Sequence, residues 1–182
     1  MVVYIVGGVV VLGGITTIFY YNRFVTLKNR IENSLSQIDV QLKRRSDLIP
    51  NLIETVKGFA KQEKSIMKEV SDARKALVGA QDLTSKMKAN GELENVLGRL
   101  FAIAENYPDL KSNTNFLELQ RELSSTEDRV AYARQSYNDS ILSYNNLCEK
   151  FPGALFAKMF SKEKLDYLQI KEEEKENPQV KF

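Results

Sequence analysis

No charged side chain occurs before Arg23, and the residues ahead of it, Met1 to Asn22, are uncharged and mostly apolar. As a helix rising about 1.5 Å per residue, Val2–Tyr21 measures roughly 30 Å, the thickness of a bilayer's hydrocarbon core. Residues 1–22 therefore read as a transmembrane anchor, with the bilayer as a partner through residues 2–21. A cleaved secretory signal fits less well. It calls for a basic n-region and a small-residue cleavage site, whereas no Lys or Arg precedes the run and the bulky Phe19-Tyr20-Tyr21-Asn22 closes it. The basic residues near the span, Arg23, Lys28 and Arg30, all follow it. The positive-inside rule then places the N-terminus outside and the body in the cytoplasm, a single pass through a cytoplasmic membrane. Gly7, Gly8, Gly13 and Gly14 lack the four-residue spacing of a helix-dimer motif and read as the glycine usual in spanning helices.

The roughly 160 residues beyond the anchor suffice for one domain with its own core. The balance of 26 Lys+Arg against 24 Asp+Glu leaves a formal net charge of +2, with no strong basic field to argue for nucleic acid. The lone cysteine, Cys148, excludes an intramolecular disulfide and suits a reducing compartment. The lack of histidine is more restrictive. It removes Ser-His-Asp and Cys-His nucleophile activation, histidine-containing zinc sites and the Glu-x-x-His di-iron motif. No phosphate-cradling glycine loop occurs either. The sequence thus offers no catalytic, cofactor-binding or metal-ligating residue, and no enzyme is expected.

Apolar residues recur three and four apart at Leu27, Ile31, Leu35, Ile38, Leu42, Ile49, Leu52, Val56 and Phe59, one face of a long helix continuing from the anchor as a stalk. Arg45 interrupts this seam. Pro50 cannot donate to the carbonyl of Ser46, which predicts a kink or break near Ser46–Ile49. A second helix is predicted from Glu63 to about Val78, with Ile66, Met67, Val70, Ala73 and Leu77 on one side and Gly79 as its stop. The polar, lysine-rich stretch from Ala80 into Asn90-Gly91 reads as the main loop. Glu92–Asn106 follows as a helix with Leu93, Val96, Leu97, Leu100, Phe101 and Ala104 inward, ended by Tyr107-Pro108. The longest element should begin at the box-like Asn115-x-x-Glu118. It carries Phe116, Leu119, Leu123, Val130, Ala133, Tyr137, Ile141, Tyr144 and Cys148 to about Lys150. A short helix over Pro152–Phe160 comes next, and the acidic end from Glu172 has little apolar content. The fold class is all-α: one transmembrane helix, then an antiparallel four-helix bundle over 23–160 and a polar, flexible tail over 161–182.

The run from Ser36 through Lys43-Arg44-Arg45-Ser46-Asp47-Leu48-Ile49-Pro50 to Gly58-Phe59-Ala60 closely resembles the signature of the LemA family. So do Glu105-Asn106-Tyr107-Pro108, Glu118-Leu119-Gln120 with Glu122, Leu123 and Glu127, Ala133-Arg134 with Tyr137-Asn138, Tyr144-Asn145 and Phe151-Pro152. The resemblance covers nearly the whole chain. It implies a helical bundle behind one spanning helix in a bacterial membrane and carries over no reaction or substrate. Leu35 stands where that family often has Trp, Phe59 where Tyr is usual and Gln62 where His is common. Any family chemistry resting on that histidine is closed to this chain.

On a straight helix Lys43-Arg44-Arg45 lies roughly 30 Å beyond Arg23, too far to feel lipid through a Debye length of about 8 Å. Arg45 should then pair inside the bundle, with Glu105, Glu127 and Asp39 as candidates, while Lys43 and Arg44 stay solvated. Glu118, Glu122 and Glu127 read as an ion-paired or solvated face, Cys148 as an inert buried thiol, and Tyr107, Tyr132, Tyr137 and Tyr144 as core by default or as the lining of a groove. The short helix sets Leu155, Phe156, Met159 and Phe160 beside Lys158, Lys162 and Lys164. That pattern suits either packing over a bundle end or an interfacial membrane helix. The functional expectation is a non-catalytic, membrane-anchored interaction or scaffolding module with protein partners of unknown identity and self-association left open. The alternative is a lipid-binding or membrane-shaping protein acting through 152–160.

Overall fold

A computed structural model describes residues 1–168. The protein is all-α, and no strand occurs among the described residues. The helices are α1 (Val2–Phe59), α2 (Lys64–Gly79), α3 (Leu83–Ala104), α4 (Pro108–Lys111), α5 (Thr114–Glu149) and α6 (Gly153–Met159). They form two compact units, one of Met1–Leu35 with 134–168 and one of Ser36–Ala133.

In the first unit, the apolar N-terminal part of α1 is largely exposed up to the rings of Tyr20 and Tyr21, which meet Phe156 and Phe160. No core of the described residues covers it, and it is a segment suited in length and composition to cross a membrane. Burial begins abruptly at Phe24 and continues through Leu27 and Ile31, which share a core with Ile141, Tyr144 and Ala157. Farther along, the Ser34 hydroxyl lies 3.4 Å from those of Ser136 and Ser140, so small side chains let α1 and α5 approach closely. Beyond α6 the chain turns back along α5 in extended form. Asn145 bonds both the N–H and the carbonyl of Leu165, each at 2.9 Å, and Asn138 does the same for Leu168 at 3.0 and 3.1 Å. The two amides are two helical turns apart, about the span of three extended residues, so each substitutes for a missing strand partner. The rest of the 161–182 tail lies outside the described residues.

In the second unit, α1 buries Ile38, Leu42, Ile49, Leu52 and Val56 as its spacing predicts. Phe59 is exposed and Ala60 takes the last buried place. The break expected at Ser46–Ile49 does not occur, since α1 runs through Pro50 to Phe59. The carbonyl that Pro50 leaves without its helical donor, that of Ser46, accepts instead from Arg74 Nε of α2 at 2.8 Å. Arg74→Met should therefore destabilise the full chain by about 1–3 kcal/mol, the cost of an orphaned part-buried carbonyl. In a Pro50→Ala background, where residue 50 supplies a helical N–H, the same change should cost measurably less in thermal melts.

The loop expected over 80–90 is also overturned. The Asp82 side chain accepts from the Ser85 N–H at 2.9 Å and starts α3 at Leu83, nine residues before the expected Glu92, with Asn90 and Gly91 buried inside the helix. α3 ends at Ala104, and Pro108 opens the short α4, where the missing N–H costs nothing. The start of α5 is capped by Asn113, whose side chain accepts from Phe116 N at 3.0 Å, rather than by Asn115.

Candidate functional site

Three surfaces collect the side chains capable of recognition or chemistry. The first is the buried Arg45 of the second unit, only 2% exposed. Its Nη1 donates to Asn90 Oδ1 at 3.0 Å, its Nη2 lies 3.5 Å from Glu127 Oε2, and its Nε has no protein acceptor. Burial lowers the pKa of the guanidinium, opposed by the charges of Glu127 and Glu94. The separation from Glu127 exceeds the 2.7–2.9 Å of a strong charge-assisted bond, so Asn90 is the closer partner. Of the other expected partners, Asp39 pairs with Lys86 at 2.7 Å and Glu105 with Lys111. Arg44 pairs with Glu122 at the surface and Lys43 with Asp47 one turn on. Asn90 was hidden from sequence reasoning because Asn-Gly reads as a turn.

Glu127 and Glu94 meet beside Arg45 in an open cleft of about 600 Å³. The carboxyl of Glu127 is pushed above the usual glutamate range, first by burial and then by the charge and hydrogen bond of Glu94, against the pull of Arg45. A raised folded pKa means that the folded state holds this proton more tightly than the unfolded chain does. That contribution is full in acid and is lost as pH rises through the raised value. Glu127→Gln should therefore melt above the parent chain at neutral pH. The gap should shrink as pH falls from the raised value toward the ordinary glutamate range, where it closes, and salt should narrow it because Glu127 is half exposed. Melts from pH 4 to 8 check this; a gap that widens toward acid would refute it.

The second surface is a groove of about 1130 Å³ between the C-terminal end of α1 and α2. Ile53 and Met67 floor it, and Lys57, Lys61, Lys64, Lys68 and Lys75 rim it. Lys57 and Lys75 pair with Glu54 and Asp72. Gln62 lines this groove, at the position where the family resemblance leads one to expect histidine. Close by, the Tyr107 hydroxyl donates to Glu63 Oε1 at 2.8 Å and Arg99 pairs with Glu69, which hold α2 to the α3–α4 corner.

The third is the foot of the first unit. Phe156 stacks on Tyr20 with ring centroids 4.6 Å apart and planes within 7°. Phe160 meets Tyr21 and Phe24 edge-on at 5.5 and 6.2 Å. Cys148 is half-buried against the same core; burial pushes its thiol up, partly offset by its hydrogen bond with Tyr144. A thiol held protonated and without an adjacent base is a poor nucleophile. Tyr144 is core as expected, Tyr137 and Tyr107 are part-buried, and Tyr132 is exposed rather than core and lines an open cleft with Gln37, Gln41 and Arg129. Among the described residues no group of three or more Cys, Asp or Glu is placed to hold a metal ion.

The model of the LemA family matches residues 34–182, which include the Arg45 cluster, the lysine groove and α6. The chain belongs to the LemA family. It is similar to Magnetosome protein MamQ of Magnetospirillum gryphiswaldense, with 29% identity over 86% of this chain and 67% of that one. It is equally similar to Magnetosome protein MamQ 2 of Paramagnetospirillum magneticum. Protein LemA of Metamycoplasma hominis is 26% identical over 71% of this chain and 62% of its own length. The matched family region begins at Ser34, so the apolar start of α1 lies ahead of it.

Proposed function

We propose that this LemA-family chain is a membrane-anchored, non-catalytic interaction or scaffolding module of a bacterial cytoplasmic membrane, with its N-terminus outside and its helical body in the cytoplasm. One observation carries the reading. A single uninterrupted helix, α1, is bare and apolar from Val2 and becomes a core helix from Phe24 onward. A helix that supplies core residues to both compact units is integral to the fold, which argues for a retained anchor rather than a removable leader. Arg23, Lys28 and Arg30 just past the apolar run support this orientation by the positive-inside rule. The finer architecture we infer is an antiparallel four-helix bundle of α1, α2, α3 and α5. The pairs Arg44–Glu122 and Lys86–Asp39, like Arg74–Ser46, support it by joining α1 to each of the other three.

A non-catalytic role accords with the chemistry at hand. The buried Arg45 is tied into the core by Asn90 and Glu127, Cys148 is held as a thiol, and no histidine can move protons near neutrality. Protein partners would be taken at the lysine-rimmed groove, whose apolar floor and basic rim suit an acidic amphipathic helix. A reporter fused after Phe182 should be active only in the cytoplasm; activity only outside the cell would overturn the orientation. Crosslinking in native membranes followed by mass spectrometry should recover protein partners. Reversing Lys61, Lys64 and Lys68 to glutamate should abolish those crosslinks without lowering the melting temperature; crosslinks that survive the reversal would overturn the groove assignment.

A further inference from the structure

We propose that α6 makes a second contact with the bilayer, seating Phe151, Leu155 and Met159 in the headgroup layer next to the point where α1 leaves the membrane. The proposal rests on the reading of Val2–Tyr21 as the span. If that run fills the hydrocarbon, Tyr20 and Tyr21 sit at its edge, where tyrosine is favoured. α6 is fastened at that level, since Phe156 stacks on Tyr20 and Phe160 meets Tyr21. Its inner face is spent on the fold. Ala157 joins the core of Phe24, Leu27 and Ile31, which lies on the body side of Tyr20 along α1. α6 therefore covers the span-proximal end of that core, and its opposite face is turned toward the span.

That opposite face is apolar and open. Leu155 and Met159, four residues apart on α6, are 59% and 55% exposed, and Phe151, in the turn just before the helix, is 81% exposed. In water such a row is unfavourable, whereas at a lipid interface it is the side that becomes buried. Lys150, Lys158 and Lys162 flank it with no acidic residue from Lys150 to Lys162, which suits an anionic lipid surface. The occupant is thus the same bilayer that holds the anchor, and the three side chains act as a wedge that fixes the foot of the body to the membrane plane.

The chain contains no tryptophan, so a single substitution makes a clean fluorescent reporter. Three full-length variants would be reconstituted into phosphatidylcholine–phosphatidylglycerol vesicles containing brominated lipid. Val10→Trp probes the centre of the span and Met159→Trp the proposed contact. Gln135→Trp probes an exposed site next to Ser136, which neighbours Ser34 and so lies about 20 Å past Tyr21 along α1. Val10→Trp should be quenched by lipid brominated deep in the chains. Met159→Trp should emit to the blue of Gln135→Trp and be quenched by shallow bromines and little by aqueous iodide, with the reverse for Gln135→Trp. If Val10→Trp is quenched and Met159→Trp responds only to iodide, the second contact is refuted while the anchor stands. If Met159→Trp escapes both quenchers, the face is covered by protein, as in a second copy, and the proposal fails equally. An unquenched Val10→Trp would overturn the span and the wedge together.

Discussion

Asn90→Leu should lower the stability of the full-length chain by about 1.5–3 kcal/mol, the value of a hydrogen bond to a buried charged group. Nothing else replaces it: Arg45 Nη1 has Asn90 Oδ1 at 3.0 Å, while Glu127 stands at 3.5 Å and Nε is already without an acceptor. Arg45→Met should cost about 1–3 kcal/mol by the opposite route, because it strands the buried Asn90 amide while removing a cation that burial disfavours. The double variant Arg45→Met/Asn90→Leu leaves no orphan. Replacing a buried polar pair by apolar residues of similar volume is often neutral or stabilising, so it should melt near the parent chain, giving rescue in place of additivity. Thermal melts of the four chains in detergent micelles test this, and additive losses would separate Asn90 from Arg45. Vesicle association should be the same in all four, since the cluster faces the inside of its unit and not a lipid surface.

That pair also shows where legibility in the sequence stops. The burial of Arg45 follows from its place on an apolar seam, and Glu127 is a candidate partner by charge. Asn90 could not, because Asn-Gly is a turn signal and only the capped start of α3 at Asp82 forces it into helix. Asp82 followed three residues on by Ser85 was the available clue, masked by weak periodicity in the lysine-rich stretch after it. Pro50 is a parallel case. Its steric effect is local, but the group that keeps α1 whole, Arg74, lies 28 residues from Ser46. The seams of α1 and α5 were readable because each buries a stripe at helical spacing, which is a property of the element alone. The stack of Phe156 on Tyr20 was not, since it joins positions 136 apart in the chain through tertiary packing.

Gly153→Ala should destabilise the full chain by about 1–3 kcal/mol, toward the upper end of the range for overpacking. A Cβ there would lie 2.3 Å from the Leu147 carbonyl oxygen and 3.1 Å from its Cδ1, and the nearer obstacle is backbone. The corner cannot open easily, because Ala154 N donates to Lys150 O at 2.9 Å and Lys150 N to Asn146 O at 2.9 Å. Relief must come from α6 moving away from α5, which loosens Phe156 from Tyr20 and Phe160 from Phe24. The melt should fall and trypsin should cut sooner at Lys158 and Lys162. Gly98→Ala gives the opposite sign from the same chemical change: it sits inside α3 with nothing within 4 Å of the new methyl, and should gain about 0.5–1 kcal/mol from helix propensity. Leu147→Ala trims only a side chain and leaves the carbonyl in place, so it should not rescue Gly153→Ala. A rescued melt would mean that side-chain crowding, and not the close approach of two backbones, is what requires glycine at this corner.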